Sequence, residues 1–129
     1  MSKQHLILVV EDNDFVRMQI VSFLKDAGYQ TCEATDGNGA LDQMGENPAT
    51  TPVTMAIVDV RMEPMDGFEF INLLRTQGFN TPVVLVTGDQ DNDLLGRAAK
   101  FGVSTVLMKP IQKDRLVSSV NRLIERGGR

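Results

Sequence analysis

Four short, strand-like runs in this chain end on side chains that carry charge or can hold it. Leu6–Val10 is followed by Glu11 and Asp12. Met55–Asp59 closes on Asp59, Pro82–Thr87 closes on Thr87, and Ser104–Met108 runs into Lys109 and Pro110. An unpaired carboxylate is costly to bury, so an acid at the end of the apolar run Ala56-Ile57-Val58 needs compensation. Two carboxylates about 4 Å apart repel by roughly 4 kcal/mol at an effective dielectric near 20. Three in one cleft therefore require raised pKa values or a cation. Oxygen-only donors, with no histidine or thiol beside them, select a hard ion such as Mg2+, which keeps several waters and needs few carboxylates. Lys109 would add a fixed positive charge opposite the acids. A carboxylate in that company is placed to attack a phosphoryl group, because cation, lysine and the Thr87 hydroxyl can hold the transferring oxygens.

Whether these groups meet depends on the elements that carry them. Strand-like and helix-like segments alternate five times, with strands expected at Leu6–Val10, Gln30–Ala34, Met55–Asp59, Pro82–Thr87 and Ser104–Met108. Three of them are nearly continuous apolar runs, the pattern of strands covered on both faces. Between them lie helical stripes: Val16, Ile20, Phe23, Leu24 and Ala27 in the first helix, and Leu116, Val117, Val120, Leu123 and Ile124 in the last. Ala27-Gly28-Tyr29, Gln77-Gly78-Phe79 and Phe101-Gly102-Val103 each supply a glycine for a left-handed helix cap and an apolar residue to fold back. Gly39 and Gly45 weaken the second helix, and "ENPATTPVT" reads as a longer, looser connection. Five βα units imply an α/β fold, a doubly wound parallel sheet with helices on both faces. Its working edge is the carboxyl end of the strands, where the winding reverses, and that is the edge where these acids, the hydroxyl and the ammonium would gather.

Composition narrows the function classes. The chain has 129 residues, 42% hydrophobic and 23% charged, which fits one domain over 1–129. Its core is expected at about 3–124, with 125–129 a frayed tail or the start of a linker. A net charge of −4 without a basic run disfavours nucleic acid. No apolar run is long enough to span a bilayer, and no signal-peptide pattern opens the chain. The lone Cys32 reads as a small core residue. A cytoplasmic setting is expected.

The set Glu11-Asp12, Asp59 with Met62 and Asp66-Gly67, Thr87-Gly88 and Lys109-Pro110 resembles the receiver domain of bacterial two-component response regulators. The resemblance runs from about Lys3 to Ile124. It implies the flavodoxin-like (βα)5 strand order 2-1-3-4-5. It also implies a signalling switch in which Asp59 accepts phosphate from a sensor histidine kinase or histidine phosphotransfer protein. Asp12 and Asp59 would bind Mg2+ or Mn2+ directly, Glu11 through water and Arg61 through its backbone carbonyl. Thr87 and Lys109 would engage the phosphoryl group, and the bond before Pro110 would be cis. Enzymatic character would be limited to self-phosphorylation from a donor and autodephosphorylation. The downstream partner is unspecified, and a homodimer is compatible with the family.

Three departures stand out. Val106 occupies a place where the family commonly has an aromatic switch residue. Glu63 stands where a proline is common, with Pro64 after it. Arg61 and Asp89 fall where the family modulates phosphoaspartate hydrolysis, and their spacing suggests a pair across the site mouth. Blander readings compete. Glu11-Asp12 alone could merely favour a helix N-terminus, Asp66-Gly67 reads as a turn and helix start, and His5 is expected exposed. Met55 and Met108 are expected to fill core. Phe15 and Met18 lie off the apolar stripe, as a docking patch or a wider buried face. A degenerate receiver acting as a phosphorylation-independent interaction module is the alternative function. A haloacid-dehalogenase-like phosphohydrolase would want an acid where Arg61 stands, and a flavodoxin-like cofactor binder would not place acids in its phosphate loop.

Overall fold

A computed structural model describes residues 5–46, 52–88, 93–103 and 105–127. Strands and helices alternate: β1 (Leu6–Val10), α1 (Asp14–Asp26), β2 (Gln30–Ala34), α2 (Gly37–Glu46), β3 (Val53–Asp59), α3 (Gly67–Thr76), β4 (Val83–Thr87), α4 (Leu94–Lys100), β5 (Thr105–Met108) and α5 (Lys113–Gly127). The five strands form one parallel sheet in the order β2-β1-β3-β4-β5. The winding reverses between β1 and β3, the two strands whose ends carry the acids.

The continuous apolar runs follow from two-sided burial. Leu8, Val10, Ala56, Val58 and Leu85 face one core, packed beneath Phe70, Ile71 and Leu74 of α3 and Ala98 of α4. Ile7, Val9, Ile57, Val84 and Val86 face the other, against Ile20 and Leu24 of α1 and Leu116 and Val120 of α5. Strand side chains alternate between faces, so a strand covered on both sides must be apolar at every position. Full burial contributes about 1.5–3 kcal/mol for each such side chain. These central strands are the rigid floor of the sheet's carboxyl edge.

The three expected glycine caps are present. Gly28, Gly78 and Gly102 have φ of 94°, 91° and 76°, a region that disfavours any side chain. The following residues close each helix through Tyr29 N–H to Leu24 C=O (3.1 Å), Phe79 N–H to Leu74 C=O (3.1 Å) and Val103 N–H to Ala98 C=O (3.0 Å). The second helix also forms despite Gly39. Asp36 Oδ1 accepts from Gly39 N–H at 2.8 Å, and Ala40 and Met44 are buried beneath the helix.

Several boundaries and placements differ from the sequence expectation. β3 starts at Val53, β4 at Val83 and β5 at Thr105; Ser104 and residues 47–51 of the expected loose connection lie outside the described residues. α5 continues to Gly127, so residues 125–127 are helical. Met55 is core, but Met108 is 42% exposed because β5 is an edge strand with an open flank. His5 is half-buried, stacked obliquely against Tyr29. Phe15 and Met18 stay 76% and 66% exposed, which removes the wider-buried-face reading. Cys32 is half-buried against the first core, and burial, then the charge of Glu33, pushes its thiol up and away from thiolate. Among the described residues, no helix is long and apolar enough to cross a membrane.

Candidate functional site

Parallel pairing aligns the strand ends, and backbone hydrogen bonds carry the alignment into the loops. Glu11 N–H donates to Ala34 C=O at 3.1 Å, Val60 N–H to Val86 C=O at 3.0 Å and Lys109 N–H to Thr87 C=O at 2.8 Å. Each tie fixes a functional residue, or the one next to it, to the neighbouring strand.

The acids then converge. Glu11, Asp12 and Asp59 each offer a carboxylate oxygen, all within 4.8 Å of one another. Glu11 is fully buried, Asp59 is 3% exposed, and Asp12 faces solvent. Lys109 Nζ stands 3.0 Å from Glu11 Oε1 and 3.2 Å from Asp59 Oδ1. Its contact to Glu11 Oε1 is charge pairing off the hydrogen-bonding angle, while Glu11 Oε2 accepts from Asn13 N–H at 3.1 Å. Thr87 lies at the end of β4, 1% exposed. The structure therefore brings Glu11, Asp12, Asp59 and Lys109 together, with Thr87 on the strand next to β3, and a lysine between two carboxylates is what makes Asp59 tolerable there.

Electrostatics show how incomplete that compensation is. Burial pushes Glu11 up to about 7 against the pull of the Asn13 N–H and of Lys109, with the Asp59 charge adding to the rise. Burial alone would lower Lys109, but its close pairing with Glu11 and the charge of Asp59 outweigh it and hold the ammonium above its ordinary value. One ammonium faces two buried acids and a third exposed one. Three oxygen donors with a surplus of negative charge fit a hard divalent cation.

The acid-bearing loop after β3 is held by close backbone packing. Asp66 caps α3 reciprocally with Glu69: Asp66 Oδ1 accepts from Glu69 N–H at 2.8 Å, and Asp66 N–H donates to Glu69 Oε1 at 3.1 Å. This bears out the helix-start reading of Asp66-Gly67. Gly67 does more than start a helix, because a Cβ there would stand 2.5 Å from the Asp59 carbonyl oxygen. Its N–H also donates to Val60 C=O at 2.9 Å. Arg61 and Glu63 line the mouth of the cleft with Asp12 and Arg97, around a cavity of ≈ 380 Å³. Asp89, the expected partner of Arg61, lies outside the described residues. Both Glu63–Pro64 and Lys109–Pro110 are cis. Val106 is half-buried against the first core.

Two arginines escaped the sequence reading. Arg75 donates to the carbonyls of Phe101, Phe79 and Thr81 at 3.1, 3.1 and 2.8 Å, tying α3 to the loops at the far edge of the sheet. Arg17 of α1 reaches the loop after β1. Only its i, i+3 spacing from Asp14 was visible in sequence; the carbonyl contacts of both arginines depend on tertiary neighbours.

The family profile of the response regulator receiver domain matches residues 7–121. The Regulator of RpoS of Escherichia coli (strain K12) is 34% identical over 119 residues, 92% of this chain and 32% of that protein. The sensor histidine kinase RcsC of Salmonella typhi is 31% identical over 121 residues, 94% of this chain and 12% of that protein. Among solved structures, the chemotaxis protein CheY4 of Vibrio cholerae superposes with a TM-score of 0.85 at 28% identity, covering 94% of this chain and 99% of that one. The chain spans about a third of the length of the first curated relatives it matches. Fold, strand-end chemistry and these matches agree: this chain belongs to the response regulator receiver domains, the phosphoacceptor switches of two-component systems.

Proposed function

We propose that Asp59 is the phosphoryl acceptor of this receiver. The observation that carries the reading is a carboxylate 3% exposed at the end of β3, with Lys109 Nζ at 3.2 Å and two further acids beside it. An Asp59 oxygen attacks the phosphorus of a partner's phosphohistidine. The O–P bond forms as the P–N bond breaks, and its electron pair leaves on the imidazole nitrogen, which takes up a proton. Lys109 pairs with one transferring oxygen and the Thr87 hydroxyl donates to another. Asp12 and Asp59, the Arg61 carbonyl and, through water, Glu11 would hold Mg2+ or Mn2+, which when bound supplies positive charge to the phosphoryl oxygens.

The donor is a sensor histidine kinase or histidine phosphotransfer protein in the cytoplasm, and exposed Phe15 and Met18 on α1 suit its docking. Phosphorylation adds roughly −1.5 to −2 charge and new acceptors. Thr87 and Lys109 engage them only in the phosphorylated state, and that differential contact shifts the population passed on to a downstream protein. Val106 in the aromatic's place leaves this shift to Thr87 and Lys109. The only turnover is loss of the chain's own phosphoryl group to water, with Arg61 and Asp89 modulating its rate.

Incubation with radiolabelled acetyl phosphate and magnesium tests the reading. Wild type takes label and Asp59→Asn does not. A folded wild type that stays unlabelled overturns it in favour of an interaction module.

A further inference from the structure

We infer that Arg17 is a positioning residue for the metal-binding loop, acting through the backbone of Glu11. The inference rests on the reading of Glu11, Asp12 and Asp59 as a magnesium site.

All three guanidinium nitrogens of Arg17 are used. Nη1 donates to the Glu11 carbonyl at 2.9 Å, Nη2 meets Asp14 Oδ1 at 2.6 Å and Nε meets Glu33 Oε1 at 3.0 Å. The Arg17 side chain is only 13% exposed, while its acid partners are 80% and 46% exposed. A surface ion pair contributes little, but this one anchors a planar fork between the first turn of α1 and the edge strand β2. The third arm is thereby aimed at one carbonyl, a geometry that a lysine cannot reproduce.

That carbonyl belongs to the peptide joining Glu11 to Asp12. On its upstream side, Glu11 N–H is bonded to Ala34 C=O; on its downstream side, Asn13 N–H is bonded to Glu11 Oε2 and Asn13 Oδ1 caps Val16 N–H at 3.0 Å. The Arg17 bond holds the peptide plane itself. Asp12 is exposed, so its backbone, rather than packing of its side chain, must set where its carboxylate stands relative to Asp59. Outer groups that orient metal ligands commonly change affinity by about 10–100-fold when removed. Acting through a single carbonyl, Arg17 belongs at the lower end, about tenfold.

The test is a magnesium titration of the phosphate-free protein, followed by the amide NMR shifts of residues 11–13, for wild type, Arg17→Met, Arg17→Lys and Lys113→Met. Lys113→Met removes a cation from another surface pair, with Asp26, and is the charge control. Arg17→Met should weaken magnesium binding about tenfold, with Arg17→Lys weakened as well and Lys113→Met unchanged. Should Arg17→Met fail to fold, Arg17→Lys decides alone. A folded Arg17 variant with wild-type affinity, or an equal loss in Lys113→Met, overturns the positioning role. A wild type that binds no magnesium instead overturns the site reading beneath it.

Discussion

Replacing Glu11 with glutamine keeps the side-chain length and an acceptor for Asn13 N–H while removing a charge that is fully buried. The size of the effect follows from the environment of the carboxyl, which burial pushes from 4.5 up to about 7. A raised folded-state value means that folding favours the protonated form. The stabilising share is fully present below about 4.5 and is lost as pH rises through about 7. At 1.36 kcal/mol per pH unit, the whole span is worth about 3 kcal/mol, and most of it falls between pH 5 and pH 8. Wild type loses this amount on that interval relative to Glu11→Gln, in which nothing titrates at position 11. Urea unfolding of both proteins at pH 5 and pH 8, with a chelator present, measures the difference. Comparing the pH dependence of the difference cancels any fixed cost of placing an amide beside Lys109. Magnesium at pH 8 should restore wild type more than the variant, since a ligand bound only to the folded state stabilises it by mass action. If the gap between the two proteins is the same at both pH values, Glu11 is not held neutral by burial, and the electrostatic account of the cleft fails.

Two further outcomes test how the site is supported. Gly67→Ala places a methyl 2.5 Å from the Asp59 carbonyl oxygen. Overpacking of this kind costs about 1–3 kcal/mol, and the strain falls on the peptide of the acceptor, so labelling by acetyl phosphate should slow as stability drops; unchanged labelling refutes the contact. Arg75→Met removes the donor to three carbonyls. At about 1 kcal/mol for each hydrogen bond, unfolding stability should fall by about 2–3 kcal/mol, read by urea denaturation, while magnesium affinity stays at the wild-type value because Arg75 lies at the opposite edge of the sheet.

Much of this protein was legible in its sequence because the physics involved is local or periodic. Two-sided burial forces Leu8, Ile57 and Val84 to be apolar in consecutive runs, and a left-handed cap forces Gly28, Gly78 and Gly102. Charge at a strand end is conspicuous against such runs, so Glu11, Asp59 and Lys109 could be picked out before any coordinates. Tertiary structure alone decided the rest. Edge position exposed Met108, although its strand is apolar, and packing over β1 formed α2 despite Gly39. Burial raised the Glu11 carboxyl, and through-space contacts brought the Asp59 carbonyl against Gly67 and aimed Arg17 and Arg75 at backbone oxygens. Backbone carbonyls leave no trace in residue type, and the field at a carboxyl depends on what is folded around it. Sequence determined which groups stand at the strand ends; the fold determined how close they come and what that proximity does to their charge.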